Sequence, residues 1–371
     1  MYAHLFSALK IADITLKNRV IMVPLYLAYG HEDGTVSNLL LEHYRLMAQS
    51  GAAMVVVEGA TIDYPAGIGA GRMLRVDTDA QLEGLRQLAE TIRQEGAIAC
   101  LQINHAGRFA LAQEPVAPSA VAAFGRMPRA LSTAEIKTLI RQYAEAALRV
   151  KNAGFDMLEL HGATGYLLAQ FISPRTNQRE DEYGGSFETR QRFALEVLAA
   201  VKEQVGNFPI GYRFMADELL PDGLQLAEAV QFARSLEAAG IAYLSVTGGT
   251  YESFHLPHIV SKAKECGYMA DLAAAVKKEV SIPVIAAGRI ATGSLAESIL
   301  AAGKADGIGL ARVLWTDPAW LDKVQHGQED QLILCNPDCG DACVKWIMQN
   351  KPAICARWSA EKMKEWKNKI S

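Results

Sequence analysis

No apolar run in this 371-residue chain reaches the roughly 20 residues that a membrane span needs. Positive charge is not in excess either. Lys and Arg number 37 against 41 Asp and Glu, for a net charge of −4, so the basic footprint of a nucleic-acid-binding protein is missing. The opening residues, MYAHLFSALK, lack the layout of a secretory signal. No Gly-x-Gly-x-x-Gly turn opens a βαβ unit anywhere, which argues against an internal dinucleotide-binding domain. Cysteine is scarce, with six in all. These absences predict a cytoplasmic protein with neither nucleic acid nor membrane as partner, and they leave homo-oligomerisation open.

Half of the residues are hydrophobic, enough for one large core. They fall into runs at 19–25, 53–59, 99–104, 157–162, 209–214, 243–248, 283–288 and 307–312. Most are continuously apolar, as parallel strands covered by helices should be. Helical patterns alternate with them. Thr78 with Gln81, and Ser132 with Glu135, fit capping boxes, and Ile136, Leu139, Ile140, Tyr143, Ala147 and Val150 recur at helical spacing. A further helical pattern runs from Phe187 to Val201. Eight such units predict a (β/α)8 TIM barrel over residues 1–328, with a short C-terminal segment over 329–371. A doubly wound sheet would show a Gly-rich turn after its first strand, and MVPLYLAYG has none.

In a barrel the strand C-termini converge on one mouth. There the chain places Tyr26, Glu58, Gln102, Asn104, His105, His161, Thr164, Tyr166, Arg213, Thr247, Arg289 and Arg312. Any one of these is as well explained as an ordinary polar strand end, but a convergent ring points to a site. The last two strands end in Ala287-Gly288-Arg289 and Leu310-Ala311-Arg312. Barrel phosphate sites form after strands seven and eight; Gly288 permits close backbone approach, and Arg312 offers a fork of donors.

Four cysteines gather near the end as Cys335-x3-Cys339-x3-Cys343-x11-Cys355. Such a group suggests metal before disulfides. Spacing alone leaves an iron–sulfur cubane and a zinc ion both open. Pro337 and Gly340 argue against one continuous helix here. Trp346, Ile347 and Met348 are expected to shield the centre from water.

The stretch HGATGYLLAQFISPRTNQREDEYGGSFETRQRF, from His161 to Phe193, leaves a short apolar run, DMLELHG, and reads as a catalytic strand end with a covering loop. It closely resembles the signature of the old yellow enzyme family of FMN oxidoreductases. The resemblance extends from LFSALKIADITLKNRVIMVP to the final cysteines and is nearest to the iron–sulfur branch, which includes the barrel domain of 2,4-dienoyl-CoA reductase. It implies FMN, with Pro24 and Leu25 on the isoalloxazine face, Gly59 or Ala60 beside it, Gln102 on the pyrimidine edge, and Arg213 near N1 and O2. Gly288, Arg289, Ala311 and Arg312 would take the phosphate. It also implies a [4Fe–4S] cluster on Cys335, Cys339, Cys343 and Cys355, although the branch usually has one residue fewer in the first gap.

The implied reaction is reduction of an activated alkene: an enone, enoate or enoyl-CoA. Hydride comes from flavin N5, a proton from Tyr166, and His161 polarises the substrate carbonyl. This chain departs from the family at three positions. Thr164 stands where a second His or Asn is usual, Tyr26 where Thr or Cys is common, and Glu252, with His255 and His258 nearby, where dienoyl-CoA reductases have a second catalytic His. Tyr26, Thr164, Glu252 and His255 are therefore the expected substrate contacts. An amine dehydrogenase of the trimethylamine dehydrogenase type is the alternative; its aromatic cage would draw on Tyr26 and Tyr29. A third reading is a barrel that has lost its flavin and serves as a zinc-bound interaction subunit. With no second flavin expected, the cluster is read as a port for an external electron donor, a ferredoxin or a flavoprotein subunit. NAD(P)H acting directly on FMN is the competing route.

Overall fold

The computed structural model describes residues 2–335 and 339–370. Eight parallel strands close into a barrel in sequence order. They are β1 (Val20–Met22), β2 (Met54–Thr61), β3 (Ile98–Asn104), β4 (Met157–Gly162), β5 (Ile210–Met215), β6 (Tyr243–Thr247), β7 (Val284–Ala286) and β8 (Gly307–Leu310). All eight apolar runs of the sequence are strands, each within a few residues of the expected ends.

Strand alternation divides the apolar residues into two populations. Ile21, Val23, Met54, Val56, Cys100, Met157, Tyr243 and Ile285 fill the barrel interior, together with Leu9, Ile11 and Leu16 of a hairpin (Leu9–Ile11 with Ile14–Leu16). The hairpin packs among the strand N-termini and closes that end. The other population, including Val55, Val57, Leu158 and Leu160, meets the helices. Among the described residues, the helices that cover the barrel include α1 (Asn38–Gln49), α2 (Leu82–Gln94), α3 (Thr133–Asn152), α4 (Arg192–Val205), α5 (Leu226–Ala238), α6 (Ala270–Lys277) and α7 (Gly293–Ala301).

Helix α3 shows why these segments fold as they do. Ser132 and Glu135 form the expected reciprocal capping box, and the face carrying Ile136, Leu139, Ile140, Tyr143, Ala147 and Val150 is buried. Each fully buried Leu or Ile contributes about 1.5–3 kcal/mol, against about 1 kcal/mol for the cap. Burial therefore dominates and the cap sets the start. The expected box at Thr78 does not form. A 3-10 turn at Asp79–Gln81 leads into α2, and Thr78 makes no side-chain cap bond. The pattern from Phe187 to Val201 is two helices, Phe187–Arg190 and α4.

The C-terminal segment is not a separate layer. Ala353, Ile354, Cys355, Trp358 and Trp366 belong to the barrel's outer core. The Ala353 N–H donates to the Leu27 carbonyl at 2.9 Å, and Tyr29 donates its hydroxyl to the Ala353 carbonyl at 2.8 Å. Helices at Ala342–Met348 and Ala360–Ile370 flank this segment. Gly340 precedes the first of them, and Pro337 lies outside the described residues. Met348 is 82% exposed, so it shields nothing; Trp346 and Ile347 are half-buried. No helix among the described residues is long and apolar enough to cross a membrane.

Candidate active site

Above the apolar floor, the barrel interior turns polar. Glu159 on β4 accepts from the Gln102 amide at 2.7 Å and from the Tyr243 hydroxyl at 2.9 Å. Arg213 on β5 donates to Ser245 at 2.6 Å. Burial raises the Glu159 carboxyl, while the Arg213 guanidinium pulls it down. This layer satisfies buried charge with opposite charge and hydrogen bonds. It also holds Gln102 so that its NH2 points down and its oxygen is left free beside Gly59.

Two cavities open over this layer and share Pro24. The first, of about 230 Å³, lies over β7 and β8 and is lined by Gly288, Arg289, Gly309, Ala311, Arg312 and Cys335, among others. Backbone forms its floor for a steric reason. Gly288 has φ 105°, and a Cβ there would stand 2.8 Å from Met269 Cβ; at Gly309 one would stand 2.7 Å from Val23. The Arg289 Nε is buried without a partner. Arg312 reaches Asp341 only at 3.5 Å. A cradle of close backbone with two guanidinium groups suits a phosphate.

The second cavity, of about 160 Å³, takes Tyr26, Glu58, Gly59, Gln102, Asn104, His161, Thr164, Tyr166 and Tyr251. Strand β2 contributes Glu58 and Gly59 through a register shift between Val57 and Ala60, a bulge of the kind that re-aims side chains at a rim. Strand β4 ends in a tight turn. Gly162 is required there because a Cβ would lie 2.1 Å from the Tyr212 ring. Thr164 and Gly165 both have positive φ, which swings Tyr166 back over His161. The two rings stand 4.8 Å apart, edge to face. Gln170 locks this turn by donating to the carbonyls of Gly165 and Ala106.

The protonation states follow from burial. The His161 imidazole is held down to about 3, by burial first and by Arg213 second, so it is neutral at physiological pH. Its Nδ1 accepts from the Ala163 N–H at 3.3 Å, which assigns the ring proton to Nε2. Tyr166 is pushed well above the usual phenol range by burial and then by Tyr251. Its hydroxyl meets that of Tyr251 at 3.0 Å. Glu58 is pushed up to about 8 by burial. Its two oxygens have no hydrogen-bond partner among the described residues, although the nearby Leu27 backbone pulls the carboxyl down. Both amide atoms of Asn104 are also buried and unpartnered. A donor imidazole, a neutral phenol and two unsatisfied polar side chains thus surround one small cavity.

The sequence-predicted residues divide accordingly. Pro24, Tyr26, Gly59, Gln102, Arg213, His161, Thr164, Tyr166, Gly288, Arg289, Ala311 and Arg312 line one cavity or the other. Leu25 and Ala60 line neither; Ala60 sits in the helix-side core. Glu252 points away, paired with Arg108 and Arg175, and His255 packs against Phe124. Tyr29 is buried against Trp366 and lines neither cavity. Nothing from Ser173 to Ser186 lines either cavity. That stretch is a tied-down loop: Asn177 donates to the carbonyls of Phe171 and Tyr183, both at 2.7 Å. Tyr251 was not anticipated; the signal available was a tyrosine directly after Gly248-Gly249-Thr250 at the end of β6.

Among the described residues, no three His, Cys, Asp or Glu side chains stand in a metal-ligating arrangement. The four clustered cysteines are nonetheless electrostatic neighbours. The Cys335 thiol is raised by burial and also senses Cys355 and Cys339, and Cys343 senses Cys335 and Cys339.

The family model for the NADH:flavin oxidoreductase / NADH oxidase family matches residues 4–331. An NADH oxidase of Thermoanaerobacter brockii is 41% identical over 350 residues, covering 91% of this chain and 54% of that protein. This chain thus spans about half of that relative's length. An NADPH dehydrogenase of Bacillus cytotoxicus is 37% identical over 322 residues, covering 86% of this chain and 91% of the relative. Among solved structures, a 2-naphthoyl-CoA reductase superposes with a TM-score of 0.92 at 28% identity, over 99% of this chain and 58% of that one.

Proposed function

This chain belongs to the NADH:flavin oxidoreductase / NADH oxidase family, and from that premise we propose that it is an FMN- and [4Fe–4S]-dependent ene-reductase acting on an activated C=C bond. The observation that carries the reading is the meeting of His161, Tyr166 and Tyr251 in one cavity that adjoins a phosphate cradle. FMN, when bound, supplies hydride chemistry. Arg289 and Arg312 would hold its phosphate, Gly59 and the free oxygen of Gln102 would face its ring edge, and Arg213 would place positive charge beside it. His161 Nε2–H binds the substrate carbonyl as a fixed neutral donor and stabilises charge developing on that oxygen. Tyr166 delivers its proton to the carbon α to the carbonyl. Tyr251, bonded to Tyr166 and 38% exposed, returns a proton from solvent. The intact cradle argues against a barrel that has lost its flavin.

The cluster would be held by Cys335, Cys339, Cys343 and Cys355 in a C-terminal segment over 329–371. Their number, spacing and shared neighbourhood support it. Reducing equivalents come from NADH or NADPH at the barrel mouth, or from an external one-electron donor. One observation favours the amine dehydrogenase reading: Tyr26, Tyr166 and Tyr251 surround the unpartnered carboxyl of Glu58, a set able to take a cation. The test is to reconstitute the protein anaerobically with FMN and assay enones, enoate esters, enoyl-CoA and alkylamines with NADH, NADPH and reduced ferredoxin. Reduction of alkenes without oxidation of amines supports the proposal; the reverse replaces it.

A further inference from the structure

Aromatic rings continue outward from Tyr166 well beyond the cavity. Tyr166 and Tyr251 stand 5.8 Å apart, Tyr251 and Phe109 meet edge to face at 5.4 Å, and Phe109 and Phe124 lie at 5.6 Å. His255 then stands edge-on to Phe124 at 6.3 Å. The inner part is one packed unit, since Tyr166, Ala106 and Ala110 form a small hydrophobic cluster of their own with Phe109 against it. Phe109 is wedged in place. The Arg108 guanidinium lies 4.9 Å over its ring, and a Cβ at Gly165 would come within 2.9 Å of it on the side of the catalytic turn.

The outer ring is held at a cost. Ala123 and Arg126 exchange both backbone hydrogen bonds, at 2.9 and 3.0 Å, so Phe124 and Gly125 are the two central residues of a tight turn. Both have positive φ, 49° and 76°. Glycine and asparagine suit such a turn; phenylalanine there is strained. Arg126 ties the turn down onto the carbonyls of Ala110 and Ala112. The result is a Phe124 side chain that is 63% exposed. A strained, tethered turn that displays an apolar ring to water gains nothing for folding.

We propose that Phe109 and Phe124 form the binding surface for a flat apolar substituent of the substrate, one or two rings long. This rests on the ene-reductase reading of the cavity and adds its specificity: the reactive alkene sits by His161 and Tyr166, and an aryl or similar planar group lies across the outer rings. Their ordered ring contacts offer a planar group stacking and edge contacts, while a short alkyl substituent reaches no further than Tyr251.

The test uses the FMN-reconstituted protein and its Phe124→Gly variant, which relieves the turn rather than endangering the fold. Calorimetric binding of 4-phenylphenol is compared with that of phenol, and kcat/KM for benzylideneacetone with that for pent-3-en-2-one, which differ only in phenyl against methyl. The expected result is that Phe124→Gly weakens 4-phenylphenol binding about tenfold and leaves phenol unchanged, with the same selective loss in kcat/KM. Phe124→Trp should retain the preference. Equal effects on both members of a pair, or a wild type that binds 4-phenylphenol no tighter than phenol, overturn the proposal. If no alkene turns over yet the binding preference is lost in Phe124→Gly, the aryl surface stands and the ene-reductase reading fails by itself.

Discussion

The neutrality of His161 can be tested by acidification. An unfolded chain binds a proton at this histidine with a midpoint near 6.5, whereas burial and Arg213 hold the folded side chain down to about 3. Between those values the unfolded state carries the extra proton, so the contribution of His161 to stability falls as pH falls. From pH 7.5 to 5.5 the unfolded chain gains nearly one proton at this position and the folded chain none. Integrated, that is about 1.3 kcal/mol. Other buried groups titrate too, and a comparison with His161→Gln cancels them. Glutamine keeps a neutral donor and does not titrate. Urea unfolding of both proteins at the two pH values should show the wild type losing about 1.3 kcal/mol relative to the variant at the lower pH. Carbon-13 NMR of labelled histidine should show the His161 ring untitrated above pH 5. A stability difference that does not change with pH, together with a His161 midpoint near 6.5, would mean that burial and Arg213 do not hold the ring neutral and that it titrates like a free imidazole.

Other substitutions probe the remaining parts. Tyr251→Phe should lower alkene turnover about tenfold while leaving KM near wild type, since it removes only the hydroxyl that reprotonates Tyr166; an unchanged rate would place the proton route elsewhere. Gly288→Ala forces a side chain into a φ of 105° and against Met269, so FMN affinity measured by fluorescence should drop at least about tenfold, and full retention would remove this turn from the phosphate site. Cys339→Ala should lose iron and acid-labile sulfide together in anaerobically purified protein; a variant that keeps both would strike Cys339 from the ligand set.

The strands were legible because a barrel strand buried on both faces has to be apolar throughout, and 157–162 could scarcely be anything else. The turn after His161 was legible for the same reason, since a short apolar run that stops abruptly there must end at a surface. What escaped were features set by a single residue of register or by distant sequence. The bulge after Val57 decides that Gly59 faces the cavity and Ala60 the helices; no periodicity marks it. The resemblance sets Glu252 where a second histidine is usual near the sixth strand, but Arg108 and Arg175 claim it, and the adjacent Tyr251 takes the place at the cavity. The union of Cys355 and Trp358 with the barrel core joins residues hundreds of positions apart from β1 and α1, a contact that local sequence cannot announce. The long insertion after Ser173 read as a cover because it is polar. Its polar groups bind the loop to itself, to Glu218 and, through Arg175 and Arg179, to Asp222 and the carbonyls of Pro118 and Leu131.

The central claim is that Tyr166 delivers the proton that completes alkene reduction, and a single-turnover experiment tests it most directly. FMN-loaded wild type and Tyr166→Phe are reduced anaerobically and mixed with a stoichiometric enone, and the return of flavin absorbance is followed alongside product formation. The ring and its packing on His161 are kept in the variant, so flavin binding and the reduction step should be unaffected. Enone reduction should be slower by a factor on the order of 100 or more. Oxidation of the reduced flavin by the enone at the same rate in both proteins would contradict the account.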